Sequence, residues 1–218
     1  MSIPVTVFTG YLGSGKTTVI LNIIKQLPPS YNSSWLKNEF GNMAIDSERA
    51  KENNIKVTEM LNGCLCCVLV GKLENALNEI VEKYSPDRIF VETSGSAYPA
   101  PIAWEIRKNN KLKLDGIVTV IDALNFKGYK DKGYTAKLQA KYTDLILINK
   151  HELVNEKTLE ENLDDVYELN HTTPKVKTDK GYISKDLVLG RDSKLFENYS
   201  QVEEEEQGKE DHHHNLEV

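Results

Sequence analysis

Gly10-Tyr11-Leu12-Gly13-Ser14-Gly15-Lys16-Thr17-Thr18 is bracketed by Val5-Thr6-Val7-Phe8, an apolar β-branched run, and by Val19-Ile20-Leu21-Asn22-Ile23-Ile24, which carries helical spacing. A strand, a glycine-rich loop and a helix in that order make a phosphate cradle. The glycines let successive backbone N–H groups turn inward on one anion, and the helix starting near Lys16 adds the positive end of its dipole. Lys16 is expected to reach the β and γ phosphates, and the Thr17 hydroxyl to ligate Mg²⁺. Gly10, Gly13, Ser14, Gly15 and Thr18 complete the loop. A chance glycine-rich turn would have to place three glycines, Lys and Thr in register, so the loop points to a nucleoside triphosphate.

With 218 residues, 39% hydrophobic and 28% charged, the chain can bury one α/β domain, expected over residues 1–200, with a short appendage at 201–218. No apolar run approaches the ~20 residues that span a bilayer. The first residues carry no basic-then-apolar leader. A cytoplasmic protein with no membrane partner is therefore expected. The formal charge of −6 is concentrated at the end, where residues 201–218 hold seven acids and one lysine. The balanced remainder offers no electrostatic footprint for nucleic acid.

Apolar strand-like runs alternate with amphipathic segments, the pattern of an α/β fold. The expected architecture is a three-layer P-loop fold with a mostly parallel, doubly wound sheet. Strands are expected at 5–8, 34–37, 55–59, 89–92, 117–122, 145–148 and 174–178, with helices over 16–26, 70–83 and 156–168. Pro28-Pro29 stops the first helix, and Gly116 introduces the fifth strand. Ligands of such sheets gather at the carboxyl ends of the strands. Those ends carry Asn38-Glu39-Phe40-Gly41, Asn62-Gly63-Cys64-Leu65-Cys66-Cys67, Glu92-Thr93-Ser94-Gly95 and Asn149-Lys150-His151-Glu152.

The P-loop together with Asn-Glu-Phe-Gly, Gly-Cys-Leu-Cys-Cys, Glu-Thr-Ser-Gly and Asn-Lys-x-Glu resembles the CobW-type metallochaperone GTPases, relatives of the urease and hydrogenase maturation GTPases. The likeness covers about residues 3–200, and Cys-Leu-Cys-Cys is its most specific element. It implies GTP and GDP as nucleotides, Mg²⁺ as cofactor, and zinc or a similar divalent metal carried to a client metalloprotein.

The family's Asn-Lys-x-Asp loop reads guanine through a carboxylate that accepts from the ring N1–H and the exocyclic amine. Asn149 and Lys150 match it, while Glu152 is one methylene longer than the usual Asp. Guanine recognition is expected to survive with shifted geometry. The plainer alternative is that Asn149 and Lys150 end a strand and Glu152 caps the next helix.

Hydrolysis needs a bound cation and an ordered water more than covalent chemistry. Glu92 stands where an acid would hold Mg²⁺ through water, and Gly95 would give its N–H to the γ phosphate, making 92–101 the second switch. Residues 38–46 would be the first, and the resemblance makes Glu39 and Asp46 candidates for the metal or Mg²⁺ environment; Glu39 reads equally as a solvated loop acid. Asp122 either positions the switches or caps a helix. No residue stands out as a general base or an arginine finger. Slow turnover, accelerated by a client or by a second copy in a homodimer, is expected.

All three cysteines, Cys64, Cys66 and Cys67, fall within four residues. Reducing conditions and the adjacency of Cys66 and Cys67 disfavour disulfides. Three thiolates suit tetrahedral Zn²⁺ and leave one position open, as an exchangeable carrier site requires. The alternative is small buried hydrophobes with one reactive thiol. The tail, with Glu203-Glu204-Glu205-Glu206 and His212-His213-His214, is expected to be disordered and to begin a further domain; an appended tag is the alternative. Two other functions stay open: an ATPase or small-molecule kinase with incidental cysteines, and a nucleotide-gated metal binder without turnover.

Overall fold

The structure is a computed structural model that describes residues 2–37, 56–59, 70–95, 99–126 and 141–191. Seven strands form its frame: β1 (Ile3–Thr9), β2 (Ser33–Lys37), β3 (Lys56–Glu59), β4 (Arg88–Glu92), β5 (Leu112–Asp122), β6 (Leu145–Asn149) and β7 (Lys175–Lys177). The order across the sheet is β3-β2-β4-β1-β5-β6-β7. Every pairing between these strands is parallel. Helices α1 (Lys16–Ile24), α2 (Val70–Tyr84), α3 (Pro99–Lys108), α4 (Glu156–Leu169) and α5 (Lys185–Val188) pack on it.

The period of two along each strand separates the core into two layers. On β1, Val5 and Val7 face one side, where Leu73, Leu77 and Ile80 of α2 and Ile102 and Ile106 of α3 cover them. Phe8 faces the other side with Val19, Ile20 and Ile23 of α1. On β6, Ile146 and Ile148 meet Val166 of α4. Each fully buried aliphatic or aromatic side chain contributes roughly 1.5–3 kcal/mol. Strands β4 and β6 are buried along their whole length, as parallel strands covered on both faces must be.

Several element ends differ by a residue or two from the sequence reading, and three differences bear on the site. Strand β5 starts at Leu112 rather than at Ile117, because the register with β1 shifts between Val5 and Thr6 and carries the pairing past Asp115. Helix α1 ends at Ile24, and Gln26 lies in the turn beyond it. Helix α3 was not anticipated: it begins at Pro99, inside the expected second switch of 92–101, with two prolines in its first turn, where a missing N–H costs no hydrogen bond.

The start of β4 and the bulged start of β5 are joined by a buried ion pair. The Arg88 guanidinium donates to Asp115 Oδ2 and, at 2.8 Å, to the Thr6 hydroxyl, while Asp115 also accepts from the Gly190 N–H at 3.0 Å. This cluster lies at the amino ends of the strands. β1 is central, with β4 on one side and β5 on the other, so the chain leaves it toward β2 in one direction and returns toward β5 in the other. A crevice forms outside the carboxyl end of β1 in that topology.

Candidate functional site

The loop from Gly10 to Gly15 leaves β1 into that crevice. Its glycines have different reasons to be there. Gly10 adopts φ +133°, and a Cβ there would stand 2.2 Å from the Val120 carbonyl oxygen of β5. Gly15 adopts φ +98°, and its Cβ would meet the Asn149 side-chain nitrogen at 2.2 Å. Gly13, at φ +77°, has no heavy atom within 4 Å of the added carbon, so it supplies conformation alone. Lys16 Nζ donates to the carbonyls of Gly10 (2.8 Å) and Tyr11 (3.1 Å), bridging the loop it ends. Burial raises the Tyr11 phenol above its ordinary pKa, which keeps it neutral.

Glu92, at the end of β4, is 1% exposed and accepts a 2.7 Å hydrogen bond from Thr17 Oγ1. These two side chains, expected from sequence to share a cation, are thus brought together. Their oxygen donors are the kind Mg²⁺ takes. Gly95 presses on the phosphate loop itself: a Cβ on it would stand 2.5 Å from the Leu12 amide nitrogen. The hydroxyls of Thr9, Ser14 and Ser94, from the three segments at this edge, are buried without a hydrogen-bond partner in the protein. Buried polar atoms in native proteins are nearly always satisfied, and a polar ligand at the loop would satisfy these three.

The end of β6 reaches across to the same loop. Asn149 Nδ2 donates to the Ser14 carbonyl at 2.8 Å, and its Oδ1 accepts from the Thr178 hydroxyl at 2.6 Å. Lys150, in a left-handed conformation at φ +60°, donates to the Gly13 carbonyl and to Asp122 Oδ2, each at 2.7 Å. Glu152 is exposed in a short 3₁₀ turn, His151–Leu153. Asn149 therefore does more than end a strand. Asp122 caps the turn after β5 by accepting from the Leu124 (3.0 Å) and Asn125 (3.3 Å) amides, and also pairs with Lys150. Burial opposes its ionisation, yet the hydrogen bonds from Lys150 and Asn125 outweigh that and hold its carboxyl below the ordinary range.

Thr178 had no role in the sequence reading. It is one hydroxyl in no motif, and only its place at the end of the strand beside β6 marks it. Cys64, Cys66, Cys67, Glu39 and Asp46 lie outside the described residues, as does the 201–218 tail. Among the described residues, no group of three or more His, Cys, Asp or Glu side chains could hold a metal ion. Nor is any helix there long and apolar enough to cross a membrane.

Residues 4–177 match the family model described as the CobW/HypB/UreG nucleotide-binding domain. The chain belongs to this family. Curated CobW-type relatives include the zinc chaperone YjiA of Escherichia coli, 30% identical over 163 residues that cover 71% of this chain and 51% of that protein. Another is the zinc-regulated GTPase metalloprotein activator 1 of Schizosaccharomyces pombe, 31% identical over 215 residues, 92% of this chain and 52% of that protein. The chain spans about half the length of these two relatives. Among solved structures, Zn(II)-bound YjiA GTPase from E. coli superposes with a TM-score of 0.68 at 24% identity, covering 88% of this chain and 62% of that one. HypB from Helicobacter pylori in complex with nickel gives 0.56 at 15% identity, over 96% and 89%. At these identities the structural likeness establishes the fold alone, an α/β sheet around a P-loop.

Proposed function

We propose that this chain binds GTP, hydrolyses it slowly, and uses the cycle to carry zinc to a client protein. The observation that carries the nucleotide half is the pair of hydrogen bonds from Asn149 and Lys150 to the Ser14 and Gly13 carbonyls. They make the base-side segment and the phosphate cradle one unit, so a single ligand with phosphates at one end and a base at the other fits them together. Glu152 supplies a carboxylate two residues past Lys150, to accept from a guanine edge that adenine does not offer.

In this reading Lys16 turns from the Gly10 and Tyr11 carbonyls to the β and γ phosphates. Thr17 and Glu92, already hydrogen-bonded to each other, would hold Mg²⁺, which would supply positive charge at the phosphates. Gly95, already against the Leu12 amide, gives its N–H to the γ phosphate and reports its presence. Cys64, Cys66 and Cys67 hold the cargo ion, for which the names of the curated relatives favour zinc.

The test is threefold. GTP, and not ATP, should displace a fluorescent GDP analogue; equal displacement overturns the guanine assignment. Phosphate release from GTP should be measurable above a Lys16→Ala variant; no difference leaves a binding module rather than an enzyme. Zinc titration of the wild type should give different dissociation constants with GDP and with a non-hydrolysable GTP analogue, and a Cys66→Ala, Cys67→Ala variant should lose the tight site. By linkage, zinc must shift nucleotide affinity by the same factor.

A further inference from the structure

Beyond the phosphate loop, one polar side chain joins two elements that the mechanism above leaves unconnected. Gln26 sits just past the last residue of α1. Its amide nitrogen donates to the Asn22 carbonyl at 2.8 Å and to the Ile183 carbonyl at 2.9 Å, and its oxygen accepts from the Lys185 N–H at 3.0 Å. Two carbonyls on one side and an N–H on the other leave no freedom in how the amide is oriented. Asn22 O is among the last four carbonyls of α1, and Lys185 N is the first N–H of α5. Both are groups that a helix cannot satisfy by itself.

What Gln26 fastens to α1 is the segment that follows β7. Thr178, whose hydroxyl fixes Asn149, is the first residue after the strand. Asp179 and Tyr182 then exchange two backbone hydrogen bonds of 2.8 Å, closing a tight turn. At its corner Gly181 adopts φ +81° and lies against the phosphate-loop helix: a Cβ there would be 2.9 Å from Thr18 Cγ2 and 3.6 Å from Asn22 Nδ2. Asn149 is followed in the chain by the 150–153 segment and is held by Thr178, which leads into the 179–182 turn. A base lying over Asn149, as the guanine reading requires, would have these two segments as the walls of its slot.

We infer that Gln26 is a positioning residue for nucleotide selectivity, holding the Asp179–Tyr182 turn on α1 as the second wall of the base slot. Gln26 touches neither phosphate nor base. It acts by fixing where the turn stands relative to Thr18 and Asn149. This rests on the guanine reading above, and its consequences concern the base alone: the cradle made by Gly10 to Thr17 does not pass through Gln26.

The test compares three ligands on the full chain with Mg²⁺: GDP, ADP and inorganic tripolyphosphate, the last reporting the cradle without a base. In Gln26→Leu the GDP-over-ADP preference should fall by tenfold or more while tripolyphosphate affinity stays within twofold. Gly181→Ala, which pushes the turn off Thr18 and leaves Gln26 in place, should reproduce the same split. Gln26→Glu keeps the acceptor for Lys185 but sets a carboxylate against two carbonyls, and should behave like Leu rather than rescue. If Gln26→Leu and Gly181→Ala keep the wild-type preference, or lose tripolyphosphate binding in parallel with GDP, the positioning role is overturned. A wild type without GDP preference overturns the guanine reading first, so the two failures are distinguishable.

Discussion

Asp122 and Lys150 form a 2.7 Å ion pair that ties the end of β5 to the end of β6, and the same ammonium reaches the Gly13 carbonyl of the phosphate loop. The pair is only partly exposed, with 29% of the Lys150 side chain and 6% of the Asp122 side chain open to solvent. Because burial of Asp122 is outweighed by its hydrogen bonds to Lys150 and Asn125, its folded carboxyl titrates below the unfolded value. A depressed carboxylate stabilises the fold fully above the unfolded pKa of ~3.9 and loses that contribution as pH falls through the folded value. Asp122→Asn should therefore cost about 1 kcal/mol at pH 7, after allowing for solvent screening. The gap between variant and wild type in urea unfolding should close as pH falls below the ordinary carboxylate range; a gap that stays constant through acid pH would refute the ion-pair account.

The three loop glycines should respond unequally to a single methyl group. Gly15→Ala and Gly10→Ala combine a left-handed or wider positive φ with contacts of 2.2 Å, against Asn149 and Val120. Gly13→Ala meets nothing, and has only the conformational cost of roughly 1–2 kcal/mol. Thermal unfolding should rank Gly13→Ala well above the other two. Equal losses at all three would show that backbone conformation, rather than close approach, selects glycine here.

Thr17 and Glu92 should show their joint role through magnesium. Thr17→Val keeps the shape and the helix but removes the hydroxyl that donates to Glu92 at 2.7 Å. GDP affinity measured with Mg²⁺ should fall by at least tenfold, while affinity in excess chelator should change little. Loss of the same size in both conditions would mean that Thr17 only shapes the loop.

At the opposite pole, the Arg88–Asp115 pair is 8% and 7% exposed at its side chains. Removing one partner strands the other in a buried site, a change that costs about 3–5 kcal/mol in comparable buried pairs. Arg88→Met alone should be strongly destabilising, and Arg88→Met with Asp115→Ala less so than the sum of the singles. Denaturant midpoints across this double-mutant cycle measure the coupling. Strict additivity would show that Thr6 and Gly190 alone satisfy Asp115.

The parts legible in the sequence share a physical cause. A phosphate loop is a local device: its glycines, Lys16 and Thr17 are contiguous, and the flanking strand and helix carry their own periodicity. Strands β4 and β6 were equally plain, because burial on both faces requires an unbroken apolar run. Helix α3 was hidden by Pro99 and Pro101, which look like breakers unless one knows that they sit in a first turn. The true start of β5 was hidden by Lys113, Asp115 and Gly116, polar or small residues that a bulge and a buried ion pair accommodate.

By itself the sequence determined the fold class, the loop that meets phosphate, and the order of polar segments along one edge of the sheet, since each depends on neighbours in the chain. Only the tertiary structure decided who holds whom. Thr178 on Asn149, Lys150 between Gly13 and Asp122, Gln26 between α1 and the turn after β7, and Arg88 with Asp115 join residues from 27 to 159 positions apart. Such partners leave no periodic or motif signal, because a single hydrogen bond between distant side chains constrains only the two positions it connects.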